Sequence, residues 1–158
     1  QRSVPMAEIP HPPGRYFEEF EVGESIETPA RTITEADVVM FAGLSGDYNP
    51  LHTDAEFAKG TMFGERIAHG MLGLSIVSGL AWRTGFMEGT ADALISVECK
   101  FRNAVKFGDT IRARFEVMQK KEMKRLGGGF VTFNVVALNQ RDETIQKGDW
   151  TVLIRSAP

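Results

Sequence analysis

The chain has 158 residues, 42% apolar and 25% charged, which is the length and composition of one globular domain able to bury a sizeable core. Its 18 basic and 21 acidic residues leave a formal net charge of −3 with no long run of one sign, which argues against nucleic acid as the principal partner. The single cysteine, Cys99, rules out an intrachain disulfide and a zinc site of several thiolates, and a buried, structural thiol in a reducing, cytoplasmic setting is the simpler expectation. No membrane contact is expected: the longest apolar stretch, residues 71–82, is broken by glycine and serine and falls short of the roughly 20 residues that cross a bilayer. The first residues also lack a charged-then-apolar leader pattern.

In chain order, residues 1–14 carry Pro5, Pro10, Pro12 and Pro13 and read as a flexible extension or strap, with His11 as part of that tail. Residues 15–158 read as a single domain. Thr34 and Asp37 form a helix start, Val38, Phe41 and Ala42 follow at helical spacing, and Gly46 is a natural stop. Thr53 and Glu56 form a second capping pair that predicts a short helix over 54–59. Residues 67–82 are apolar around most of a helical circumference, which predicts a buried central helix. The period then shifts towards two. Ile111, Ala113, Phe115 and Val117 alternate with Arg112, Arg114 and Glu116, and strands are expected also over 94–101, 130–139 and 144–154. Gly127, Gly128 and Gly129 supply a turn, and an early strand near Ile26 makes five. One long helix followed by consecutive antiparallel strands predicts an α+β fold with the sheet curled around the helix. Trp82 and Trp150 are expected to be packing residues, and Lys120, Lys121, Lys124 and Arg125 a solvated hairpin face.

The chemistry concentrates between the first two helices. Asp47 and His52 lie in a segment stiffened by Pro50, and a carboxylate with an imidazole suits the orientation of water and exchange of protons near neutral pH. Asn49 offers a third group. Asp-x-Asn-Pro is also ordinary turn chemistry, and His52 can equally be a satisfied residue at a helix start. In Ala68-His69-Gly70-Met71 a glycine at the start of the central helix allows close ligand approach, and free N–H groups with the helix dipole stabilise negative charge on oxygen. Tight helix–sheet packing with His69 as a cap explains the same residues. Ser78 is placed to lie near the face of Gly70, or to bond back to its own helix carbonyl. There is no GxGxxG or Walker pattern, and three scattered histidines lack metal spacing, so neither a metal nor an organic cofactor is expected.

The string FAGLSGDYNPLH (residues 41–52) resembles the signature of MaoC-like dehydratases and (R)-specific enoyl-CoA hydratases. IAHGMLGLSIVSGL (residues 67–80) resembles the central helix of that family, and FRNAVKFGDTI (residues 101–111) its downstream strand-turn segment, so the similarity covers residues 15–155. One departure is Ala104, where members often carry proline. The resemblance implies a hot-dog fold, an antiparallel sheet wrapped around a long helix, paired edge to edge as a homodimer or a dimer of dimers. It implies Asp47 and His52 as acid and base, the Gly70 N–H as oxyanion donor, and Asn49 and Ser78 as orienting neighbours. The implied reaction is reversible hydration of a trans-2-enoyl-CoA to the (R)-3-hydroxyacyl-CoA, coenzyme A being part of the substrate. Arg102, Lys106, Lys120 and Lys124 are candidates to meet its phosphates. A carrier-protein thioester, a thioesterase on the same fold and a non-catalytic acyl-thioester-binding module remain alternatives. Pocket depth is expected to depend on the central helix and the Met62–Phe63 region.

Overall fold

The computed structural model describes residues 12–158; the expected tail through His11 lies outside them. The chain is already tied down at Gly14, whose N–H donates to the Glu88 carbonyl at 2.8 Å, while Arg15 N–H donates to Phe86 O at 2.9 Å. The following elements are β1 (Ser25–Glu27), β2 (Arg31–Thr32), α1 (Glu35–Ser45), α2 (Pro50–Thr53), α3 (Ala55–Lys59) and α4 (Gly70–Arg83). Then come β3 (Ala91–Val97), β4 (Lys100–Phe101), β5 (Thr110–Met123), β6 (Gly128–Leu138) and β7 (Thr144–Arg155).

The strands pair antiparallel in the order β1-β5-β6-β7-β3, with β2 on β5 and β4 on β7. The alternation around Phe115 ends at Val117, but strand β5 itself runs on to Met123, and Gly128 and Gly129 belong to β6 rather than to the turn. The strand expected over 94–101 is two strands, because the chain leaves the ladder at Glu98 and Cys99. Cys99 is half-buried there rather than fully buried, and burial pushes its thiol pKa up.

Helix α4 lies in the concave face. Its Leu72, Ile76, Val77, Leu80 and Ala81 are buried with Phe115, Phe133, Val152 and Ile154 of the long strands in one core. Edge-on aromatic pairs knit that core, Phe115 with Phe133 at 5.9 Å and with Trp150 at 5.5 Å between ring centroids. This is the hot-dog arrangement. The expected buried central helix is buried on one side, and the packing role expected of Trp82 is corrected: Met71 and Trp82 are 57% and 49% exposed, on a face that carries Ser75 and Ser78 as well. Strand β3 is also exposed, with Leu94, Ile95 and Val97 along a sheet edge that no strand among the described residues pairs. No helix among the described residues is long and apolar enough to cross a membrane.

Candidate active site

Helix α1 delivers the loop that carries Asp47. Thr34 caps its start by accepting from Asp37 N–H, and Asp37 reciprocates to the Thr34 N–H, so two orphan donors are satisfied at once. Gly46 ends it at φ 78°, a left-handed conformation that costs glycine little, and its N–H reaches Ala42 O. Side chains then fold the loop. Ser45 Oγ accepts from Asp47 N–H at 3.1 Å, Asp47 Oδ1 from Asn49 N–H at 3.2 Å, and Asn49 Oδ1 from Leu51 N–H at 3.1 Å. The last bond caps α2, so His52 stands on a helical turn rather than in open loop.

Thr53 does not cap α3. Its hydroxyl turns back to Tyr48 O and Asn49 O, and Asp54 takes the capping role by accepting from Glu56 and Phe57 N–H groups. Both side chains suit a cap, but Thr53 closes α2 and only Asp54 has the extended backbone of a cap residue.

Residues 67–69 are extended rather than helical. Ile67 bridges Lys106, and Ala68 N–H donates to Val105 O at 2.8 Å. This brings Ile67 O to His52 Nδ1 at 2.7 Å. A carbonyl only accepts, so Nδ1 carries a proton, and Nε2 is the ring nitrogen left to exchange one. His69 Nε2 lies 2.9 Å from Asp47 O and donates by the same argument. The two imidazoles stack with centroids 3.9 Å apart, and Phe41 packs on His69 at 4.9 Å. One potential donor or acceptor atom from each of Asp47, His52 and His69 lies within 4.8 Å of the other two. Asp47 is exposed while both histidines are buried. Three such groups can hold a water between them, and a cation would have to displace or share the same atoms.

Helix α4 begins at Gly70, and the N–H groups of its first turn have no intrahelical acceptor. A Cβ at Gly70 would come within 3.0 Å of the Phe101 ring, so glycine permits this close approach. The helix start opens on a pocket of about 340 Å³ whose walls are the Met62–Phe63 turn, residues 101–105 and the beginning of β7. The pocket is mostly apolar, with Arg102 and Asn103 exposed at its lip.

A family model described as a MaoC like domain matches residues 18–138. The chain belongs to the MaoC-like family. An (R)-specific enoyl-CoA hydratase of Rhodospirillum rubrum is 34% identical over 139 residues, which are 88% of this chain and 91% of that protein. The protein MaoC of Klebsiella aerogenes is 42% identical over 110 residues, 70% of this chain and 32% of the relative, so the match spans about a third of that protein. The X-ray structure of a monoamine oxidase regulatory protein from Archaeoglobus fulgius has a TM-score of 0.85 and 40% identity, covering 92% of this chain and 97% of that one.

In this MaoC-like domain Asp47, His52 and the start of α4 come together, and Asn49 stands beside them with its side-chain oxygen occupied as a cap. Ser78 stands apart. Eight residues beyond Gly70, it is about 12 Å along the helix axis, exposed, and bonded back to Ser75 O at 2.6 Å. Of the expected phosphate contacts, Lys106 is paired with Glu65 at 2.8 Å, and Lys120 donates to Phe20 O at 2.7 Å over the Phe17 ring. Arg102 alone of the four lines the pocket. His69 is the site residue that sequence spacing did not single out: its position before a helix reads as a cap, yet its side chain makes no cap bond.

Proposed function

We propose that this MaoC-like domain catalyses reversible hydration of trans-2-enoyl-CoA to (R)-3-hydroxyacyl-CoA. The observation that carries this reading is the convergence of the Asp47 carboxylate and the His52 ring within 4.8 Å of one another beside the uncapped start of α4. A water held by the pair attacks the β-carbon. As its oxygen–carbon bond forms, the Asp47–His52 pair takes one proton and returns one to the α-carbon on the same face. The electron pair displaced from the double bond passes through an enolate-like thioester oxygen, which the Gly70 N–H and the α4 dipole stabilise. The reaction so written uses no metal and no organic cofactor, and coenzyme A is part of the substrate.

The working unit in this reading is a homodimer formed at the β3 edge. Leu94, Ile95 and Val97 there, with Met71 and Trp82 of α4, are large apolar groups that a second sheet edge would cover.

The test follows loss of the enoyl-thioester chromophore with crotonyl-CoA and longer homologues, with product stereochemistry resolved in a coupled assay. Formation of the (R)-alcohol that disappears in Asp47→Ala supports the reading. A folded protein that hydrates no chain length, or that instead releases free thiol from saturated acyl-CoA, overturns it.

A further inference from the structure

Gln146 sits in the wall of the pocket beside Gly70, only 4% exposed, yet its side-chain amide has no hydrogen-bond partner among the described residues. The reason it points inward is a fault in the β6–β7 ladder. Ala137 pairs with Gln146 but Leu138 pairs with Thr144, so Ile145 is an extra residue, and Ile145 and Gln146 are buried in succession. A bulge of this kind re-aims a side chain, and bulges recur next to functional sites. Ile145 O meanwhile accepts from Arg102 and Asn103 N–H at 2.8 and 3.3 Å, which fixes the pocket lip to the same bulge.

The amide offers two donors and an acceptor. Its Oε1 lies 3.5 Å from where a Cβ on Gly73 would stand, so it rests against the first turn of α4. Gly73 is one helical turn past Gly70, roughly 4.5 Å along the axis. Met62, Phe63, Ile67, Phe101 and Val105 supply most of the remaining wall and satisfy none of these hydrogen bonds. Among the described residues the buried polar atoms without a partner are His69 Nδ1 and Thr90 Oγ1, so the Gln146 amide, which bonds to no described residue, is open to the pocket and free to bond what enters it.

We propose that Gln146 is a substrate-binding residue whose amide hydrogen-bonds a secondary amide of the thioester arm, the group that lies a few bonds beyond the sulfur. The inference rests on the hydratase reading. With the thioester oxygen at Gly70 N–H, that amide falls about one helical turn away, level with Gln146. The polar lip suits this direction: an arm that continues towards phosphates passes Arg102 and Asn103 comfortably, and a hydrocarbon tail does not. A polar substituent on the acyl chain could present the same chemistry, and the experiment separates the two.

The experiment compares wild type, Gln146→Met and Gln146→Leu on crotonyl-CoA, on crotonyl N-acetylcysteamine thioester, which keeps the first arm amide, and on S-butyl crotonothioate, which lacks it. Each variant is expected to raise KM about tenfold on the first two with kcat within about twofold, and to leave the third unchanged. Thermal stability is expected not to fall, because the amide gives up no hydrogen bond to the described residues. Wild type should itself favour the N-acetylcysteamine thioester over the S-butyl one by a similar factor, a comparison that needs no variant. Equal effects on all three thioesters, unchanged KM, or a lower Tm of the kind a purely structural role produces would overturn the proposal while leaving the hydratase reading intact. An effect seen only with a fourth substrate, an enoyl-CoA carrying a carboxylate on its acyl chain, would overturn the arm assignment. Wild type without turnover on any of them would overturn both readings.

Discussion

His69 donates from Nε2 to the backbone carbonyl of Asp47 at 2.9 Å. One side chain thereby joins the start of α4 to the Asp47 loop, and its ring packs at 3.9 Å on His52, the second member of the proposed pair. In the proposed reaction His69 therefore acts through the other two residues. His69→Phe keeps an aromatic ring against His52 and removes the bond to Asp47. Because a catalytic group displaced by about 1 Å can cost up to roughly 100-fold in rate, kcat is expected to fall by about tenfold to 100-fold with KM little changed. Steady-state kinetics on crotonyl-CoA checks this, and an unchanged kcat would show that the Asp47 loop holds its place without the bond.

Asp47→Asn retains an oxygen for the Asn49 N–H and sits at an exposed position, so folding should be unaffected. In the proposed mechanism what it removes is proton transfer. General acid–base catalysis contributes about 10²–10⁴-fold, and kcat should fall by that factor while Tm stays within a few degrees of wild type.

Gly70→Ala introduces a methyl group 3.0 Å from the Phe101 ring. That ring is 53% exposed and can swing away, and alanine gains about 1 kcal/mol over glycine within a helix, so net stability should change by no more than about 1 kcal/mol. The displaced ring enters the pocket or alters its lip, and KM should rise. Chemical denaturation beside a KM measurement separates the two effects.

The β3 edge makes a prediction about assembly. Leu94→Lys places a charge on a 59% exposed apolar residue, a change that a monomer tolerates and a dimer edge does not. Sedimentation equilibrium should show a wild-type dimer and a weakened one in the variant. A wild-type monomer at micromolar concentration would remove the edge from the functional picture.

Glu24 gives the stability a pH dependence. Burial pushes its carboxyl pKa up, but the Glu21 N–H at 3.0 Å and Arg15 at 2.7 Å outweigh that and hold it below the ordinary value of 4.5. A carboxyl held low in the folded state contributes stability that is fully present above its unfolded pKa and is lost as pH falls through the lower, folded one. Tm should therefore fall as pH drops below about 4.5, and in Glu24→Gln that part of the fall should be absent. Parallel acid limbs in the two proteins would remove Glu24 as a contributor.

Much of the frame was readable from local pattern. The Thr34–Asp37 cap, the stop at Gly46 and the alternation through Phe115 each depend on residues within a few positions of one another, and the structure forms them where those residues stand. The boundary at Thr53 misled because two adjacent side chains can both cap, and only the turn back to Tyr48 O decides between them. The start of α4 was placed early for a related reason. Ile67 and Ala68 are apolar enough for a helix, but their backbone is held extended by Lys106 and Val105, nearly forty residues away.

The sequence by itself determined an antiparallel sheet around one apolar helix, and it placed Asp47 and His52 in one short segment and Gly70 near the start of that central helix. Period, capping and motif spacing are all short-range properties. Tertiary structure alone decided which ring nitrogens His52 and His69 have to spare, that Ser78 stands far from Gly70, that one face of α4 remains uncovered, and that a bulge turns Gln146 into the pocket. Each of these depends on a hydrogen bond, a register or a covered surface set by residues distant in the chain, and no local pattern carries that information.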